Sequence, residues 1–218
     1  MVCIGWTSRG LRGTAGVNKR STGLPEFYCT GERTMQLEQY LIEHCAPTLA
    51  SLKAGSLICL KETVEGELDR QIHTWNARLR EKGLVLMALR RRPEGVLVYL
   101  YRTSHLKRDL QKPGVAQFLR EYGYLSLDVP AALERLMQRL EIGSAFPHEI
   151  GLFLGYPLGD VVGFIQNEGK NCKCAGCWKV YCDEHKAREL FARFDQCREI
   201  YGKLWAQGKS IWQLTVAA

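Results

Sequence analysis

No stretch of the 218 residues approaches the ~18 uninterrupted apolar side chains of a membrane-spanning helix, because charge or glycine interrupts every longer apolar run. The N-terminus has no basic segment followed by a continuous apolar one, so a secretory signal is not indicated. Neither G-x-x-x-x-G-K-[ST] nor G-x-G-x-x-G occurs, which removes the two commonest phosphate-cradling loops and the nucleotide folds built on them. His148-Glu149 is followed by Leu at position 152, so the H-E-x-x-H helix of a zinc protease is absent. No internal repeat points to a solenoid or propeller. Strong charge of one sign is missing too. The formal charge is +7, and residues 1–34 hold five basic and two acidic side chains, three of the seven charges. The +4 left for residues 35–218 is too dilute for the basic face of a nucleic-acid binder. The one dense cluster, Arg90-Arg91-Arg92, precedes Pro93-Glu94-Gly95 and is expected to be a solvated hairpin loop.

What is present is the material of a globular protein, 46% hydrophobic and 24% charged, with enough apolar side chains for a core. Nine cysteines raise the question of a disulfide framework, but the count is odd, and Cys45 and Cys59 sit in core-like settings. Free thiols in a reducing cytoplasm fit better, and a soluble, cytoplasmic protein is expected. Residues 1–34 are rich in Gly, Ser, Thr and Arg, lack periodicity and read as a disordered extension. Met35 opens the first patterned helix, so a start at Met35 accounts for them best, with an Arg-rich transit segment as the alternative.

Residues 35–218 are expected to form a single α+β domain, a small, largely antiparallel sheet packed by several helices. The patterns predict a helix from Gln36 to His44 ending near Pro47, then a buried strand Ser56 to Leu60. A helix capped by Thr63 follows, with Val64, Leu68, Ile72, Trp75 and Leu79 inward and Gly83 as its stop. Leu84 to Leu89 and Val96 to Arg102 form a hairpin. Helices follow from Pro113 to Tyr122 and from the cap Asp128 to Gly143. Trp178 to Cys182 is a short strand, Asp183 caps the longest helix, and Ile211 to Val216 is expected as an edge strand. Tyr99 and Tyr101 share one strand face beside Arg102, but a base-stacking platform would need them exposed, and nucleic-acid binding is not favoured.

The segment most suggestive of a site is FPHEIGLFLGYPLGDVVGFIQNEGKNCKCAGCWKVYCD, Phe146 to Asp183. Glycine recurs through an otherwise apolar run, which a chain tolerates where turns, close backbone approach or an open cleft require it. The string FPHEIGLFLGYPLGDVVGFI, then CAGCWKVY, with APTLASLKAGSL and LVYLYR upstream, resembles an uncharacterised bacterial family of about this size. The resemblance covers Met35 to about Gln213 and implies no established activity, substrate or cofactor. Its element C-x-G-x-W-K-V-Y matches Cys174, Gly176, Trp178, Lys179, Val180 and Tyr181. Cys172, Cys177 and Cys182 are additional to that pattern, which argues against a metal site shared with the family.

Within the segment, His148 is a candidate proton shuttle near neutral pH, and Glu149 a carboxylate at the start of a short helix. Adjacent helical residues do not face each other, so the two are not expected to form a dyad. The structural alternative has Glu149 complementing the helix N-terminus and His148 bonded to backbone. Tyr156 to Asp160 reads as a turn with Asp160 in the first turn of a helix through Ile165. Capping is its default role, an anion position neutralised by Lys170 and Lys179 the functional one. Cys172, Cys174, Cys177 and Cys182 have C-x-C-x2-C-x4-C spacing, of which C-x2-C suits zinc, but no distant second pair is evident. Free thiols on a turn are favoured over zinc, with a Cys174 thiolate stabilised by Lys170, Lys173 or Lys179 as a variant.

These residues support a small-ligand-binding protein or enzyme whose cleft spans residues 146–181. His148, Glu149, Lys179 and Tyr181 are its candidate catalytic groups, and Tyr156, Asp160 and Lys170 its ligand-binding groups. The alternatives are a zinc- or thiol-based redox protein using the clustered cysteines, and an interaction module presenting helix 183–207 or the C-terminal edge strand. The partner is thus an unknown small molecule or protein, with no membrane.

Overall fold

The computed structural model describes residues 37–62, 64–142 and 145–217. The extension over 1–34, the helix start at Met35 and Gln36, the Thr63 cap and the Gly143 stop lie outside them.

A hairpin organises the fold. Strands β2 (Leu84–Arg92) and β3 (Gly95–Arg102) pair antiparallel, and β1 (Gly55–Leu60) pairs antiparallel along the other side of β3. The order β1-β3-β2 makes β3 central. Its near-continuous apolar run follows from cover on both faces. Alternation sends Val96, Val98 and Leu100 to one core, and Leu97, Tyr99 and Tyr101 to the other. Helix α1 (Leu37–Leu49), α2 (Glu67–Leu79) and the C-terminal half of α8 (Glu184–Ala206) cover the first face. Helices α3 (Thr103–Leu110), α4 (Val115–Arg120), α5 (Val129–Ile142) and α6 (Ile150–Phe153) cover the second. Tyr99 and Tyr101 stack on each other inside that second core, ring centroids 5.0 Å apart, and the Tyr99 hydroxyl donates to the Phe153 carbonyl at 2.5 Å. The fold class is α+β. Among the described residues no helix is long and apolar enough to cross a membrane.

Local chemistry overrides several sequence expectations. Arg90 to Arg92 continue β2 past an irregularity in register between Ala88 and Arg90, and only Pro93-Glu94 turns the chain. Acids meet two of these arginines: Arg91 reaches Glu62 at 2.7 Å and also Asp69, and Arg92 reaches Glu141 at 3.3 Å. Val64 is 58% exposed rather than inward, because α2 starts only at Glu67, after Gly66. The chain leaves β3 straight into α3, a helix absent from the expectation.

Pro47 does not end α1, which runs on to Leu49. The carbonyls this leaves at the helix end meet a buried guanidinium. Arg102 donates from Nε to Thr48 O and from Nη2 to Leu49 O and Val216 O, each at 2.7 Å. Burial lowers the Arg102 pKa from its ordinary value. The C-terminal segment so anchored forms no edge strand. Ser210 and Gln213 make a reciprocal capping box that turns Ile211–Leu214 into one helical turn, α9. Asp183 does cap α8, its Oδ1 accepting from the Lys186 amide at 3.1 Å.

Candidate functional site

Segment 146–183 folds as α6, a tight bend, α7 (Leu158–Gln166) and a two-stranded ribbon of β4 (Cys174–Ala175) and β5 (Lys179–Val180). The strand expected over Trp178 to Cys182 is therefore only two residues long. Asp160 ties these parts together. It makes no capping bond and instead points, 3% exposed, from the first turn of α7 at the ribbon. Its Oδ1 accepts from the Tyr181 and Cys182 amides, and its Oδ2 from Trp178 Nε1, all at 2.8 Å. Three donors on one buried carboxylate compensate its desolvation and fix the Trp178 indole.

Two glycines let the parts close up. A Cβ at Gly163 would lie 2.6 Å from Tyr181 side-chain carbons, so α7 meets the ribbon through bare backbone. Gly176 is likewise covered by the Phe191 ring of α8. At both positions glycine permits close packing rather than opening a cleft.

A recess nonetheless remains beside this contact, with a cavity volume of about 40 Å³. Phe146, Phe164, Tyr156 and Trp178 supply aromatic wall, while His148, Asp160 and Lys179 supply the polar groups. The His148 ring lies edge-on to Phe164 at 5.0 Å and 6.4 Å from Phe146. Burial lowers its pKa, with Glu149 opposing that shift in part. Lys179 Nζ donates to the Gly169 carbonyl at 2.6 Å, which holds the ammonium at the wall. Tyr156 stacks on Trp178 at 4.7 Å, and its hydroxyl donates to Cys177 O at 3.3 Å.

The recess thus brings together four expected residues, His148, Tyr156, Asp160 and Lys179. Three others lie elsewhere. Glu149 turns into the core at 1% exposure, where it meets Arg139 of α5 and accepts from the Tyr124 hydroxyl at 3.3 Å. It makes no helix-capping bond, since Arg139 and Tyr124 draw its carboxylate inward. Lys170 is exposed, 3.5 Å from Glu168. Tyr181 covers Gly163, and its hydroxyl donates to Lys170 O at 3.0 Å. Sequence reasoning put Phe146 and Phe164 inside the cleft segment without singling them out as wall, and missed Leu57. The two phenylalanines carried a signal, as aromatics two residues before His148 and four after Asp160, but Leu57 enters from β1 without any.

The clustered cysteines are free thiols: Cys172 and Cys174 are half-buried, Cys177 is buried and Cys182 is exposed. Cys177 accepts from Arg198 Nη2 at 3.5 Å, and Cys182 Sγ lies over Gly159. Among the described residues no three or more His, Cys, Asp or Glu side chains converge to hold a metal ion. Burial raises the Cys174 pKa, with Glu184, Cys172 and Asp160 adding to it against Arg188. The expected Cys174 thiolate stabilised by Lys170, Lys173 or Lys179 is corrected: desolvation outweighs the opposing cation, which is Arg188.

A family model described as "Protein of unknown function (DUF3793)" matches residues 41–215. The chain belongs to this family. The match takes in the sheet, the recess and α8, and accords with the resemblance to an uncharacterised family carried by the segment from Phe146. No curated protein and no solved structure matches the chain.

Proposed function

We propose that the protein binds a small molecule in the recess between α6, α7 and β5. The ligand would place a flat apolar group against Phe146, Phe164 and Trp178 and a hydrogen-bonding end toward His148 and Lys179. The observation that carries this reading is the convergence of an imidazole and an ammonium on an aromatic-walled hollow of about 40 Å³. A water needs about 10–15 Å³ on this measure, so the recess suits a small ligand or the end group of a larger one. Binding is favoured over catalysis because both Asp160 oxygens already accept from the ribbon and Glu149 is committed to Arg139. Free thiols suit a reducing, cytoplasmic setting.

The test is a 1H–15N titration with 4-methylphenol as probe. Saturable shifts at His148, Lys179 and the Trp178 indole, weakened in Lys179→Met, are the expected result. A folded protein whose resonances there do not respond would refute the reading.

A further inference from the structure

Trp178 also lines a second hollow, larger and of different chemistry. Its cavity volume is about 190 Å³, against about 40 Å³ for the recess, and Trp178 and Leu154 line both. The turn after α1 supplies Ser51 and Lys53, while α3 and its end supply His105, Arg108, Asp109 and Lys112. Leu190 and Phe194 of α8 form the apolar side together with Trp178.

Three features distinguish this hollow from an ordinary solvated crevice. Ser51 has a backbone φ of 62°, a left-handed conformation that glycine would meet without strain. A serine stands there, and its Oγ lies 3.3 Å from His105 Nε2. A strained backbone thus carries a hydroxyl paired with an imidazole at a cavity wall. The second feature is charge. Lys53, Arg108 and Lys112 line the hollow with a single carboxylate, Asp109, which pairs with Lys112 at 2.8 Å and lies 3.9 Å from Arg108, while Lys53 Nζ lies 5.3 Å from the Tyr156 ring centroid. The lining therefore carries two more positive than negative charges. Third, the aromatic and aliphatic side chains opposite would cover an organic group attached to an anion.

We propose that this hollow is a second binding site, for a phosphomonoester: Lys53, Arg108 and Lys112 answer its two negative charges, Ser51 and His105 hydrogen-bond its oxygens, and Trp178, Leu190 and Phe194 cover its organic part. A dianion matches the surplus charge, and a guanidinium beside ammonium groups is the donor set that phosphate oxygens take up. Burial, then Arg108 and Arg102, lower the His105 pKa against the opposing Asp109, which favours the neutral ring, able both to donate and to accept. The site stands apart from the recess of His148 and does not rest on the function proposed for it.

The experiment is a titration of the full chain with phenyl phosphate, read by calorimetry and by the His105 imidazole and Ser51 to Ala54 backbone resonances. Phenyl sulfate, benzoate and inorganic phosphate are the comparison probes. Phenyl phosphate is expected to bind and shift those resonances, with phenyl sulfate and benzoate at least tenfold weaker. Arg108→Gln and Lys53→Gln should each weaken it about tenfold, the scale of one charge-assisted hydrogen bond. Ser51→Gly should weaken it several-fold while holding or raising the melting temperature, because it relieves the left-handed strain. Weaker binding of inorganic phosphate at the same resonances would support phosphate recognition aided by the apolar wall, and equal binding would overturn the role of Trp178, Leu190 and Phe194. Equal affinity for benzoate or phenyl sulfate would overturn the phosphate assignment. Shifts confined to His148, or affinity unchanged in both charge variants, would overturn the site itself, the former without touching the function proposed for the recess.

Discussion

The two hollows lined by Trp178 share a wall and differ in almost everything else. The recess beside His148 is small and mostly apolar, built largely from one continuous stretch, Phe146 to Lys179. The hollow beside His105 is more than four times larger and mostly polar, and it is assembled from five separated parts of the chain. The difference shows how one buried carboxylate can define two environments. Asp160 fixes the indole through Nε1, and the fixed indole turns one ring face toward Tyr156 and the recess. Phe191 meets that indole edge-on at 4.6 Å, so α8 supports the wall that the two share.

Removing the wall should erase the distinction. Trp178→Ala is expected to cost about 4 kcal/mol, the range of buried aromatic truncation, measurable by urea unfolding. It should also abolish any separate response to apolar and anionic probes. Asp160→Asn leaves an amide where three donors converge, so one of them must face an N–H2. A loss of about 2 kcal/mol is expected, with broadening of the Trp178 indole resonance as the more specific sign. His148→Phe probes the recess alone, through pH. The folded His148 pKa lies below its ordinary value of about 6.5, so the unfolded chain takes up the proton first as pH falls. Its neutral form therefore stabilises the fold fully above pH 6.5, and that contribution is lost as pH drops toward the lowered folded pKa. His44 and His105 are lowered in the same sense and add to the slope. In His148→Phe the fall in melting temperature below pH 6.5 should be shallower than in the parent; an unchanged slope would remove His148 from the account. Arg91→Ala, far from both hollows, breaks an exposed network with Glu62 and Asp69 and should cost under about 1 kcal/mol by thermal melt, leaving both probes' binding unchanged.

Where secondary structure was encoded in local pattern, the sequence could be read directly. The hairpin, the Val129–Ile142 helix and the Asp183 cap each had their signal within a few residues. Ile211 to Val216 could not be read so, since its apolar spacing allows a strand until the Ser210–Gln213 capping box decides for a helical turn. Helix α3 did carry a signal in Leu106 and Leu110, four residues apart and both buried, although no element was assigned there from sequence. The arginine run looked like a loop because its partners Glu62, Asp69 and Glu141 are remote in sequence. The recess was half legible: His148, Tyr156, Asp160 and Lys179 come from one stretch, but the burial of Glu149 against Arg139 depends on how α5 packs. The Ser51 hollow had no legible signature. Its polar residues fall in a turn and on an unforeseen helix, and only the fold brings them together.

The most direct test of two chemically distinct hollows is a pair of 1H–15N titrations on one sample, with 4-methylphenol and with phenyl phosphate. The first is expected to shift His148 and Lys179, the second Ser51, Lys53 and His105, and of the lining residues only Trp178 and Leu154, which border both hollows, should respond to both. Overlap beyond Trp178 and Leu154, or no response in either hollow, would contradict two distinct sites.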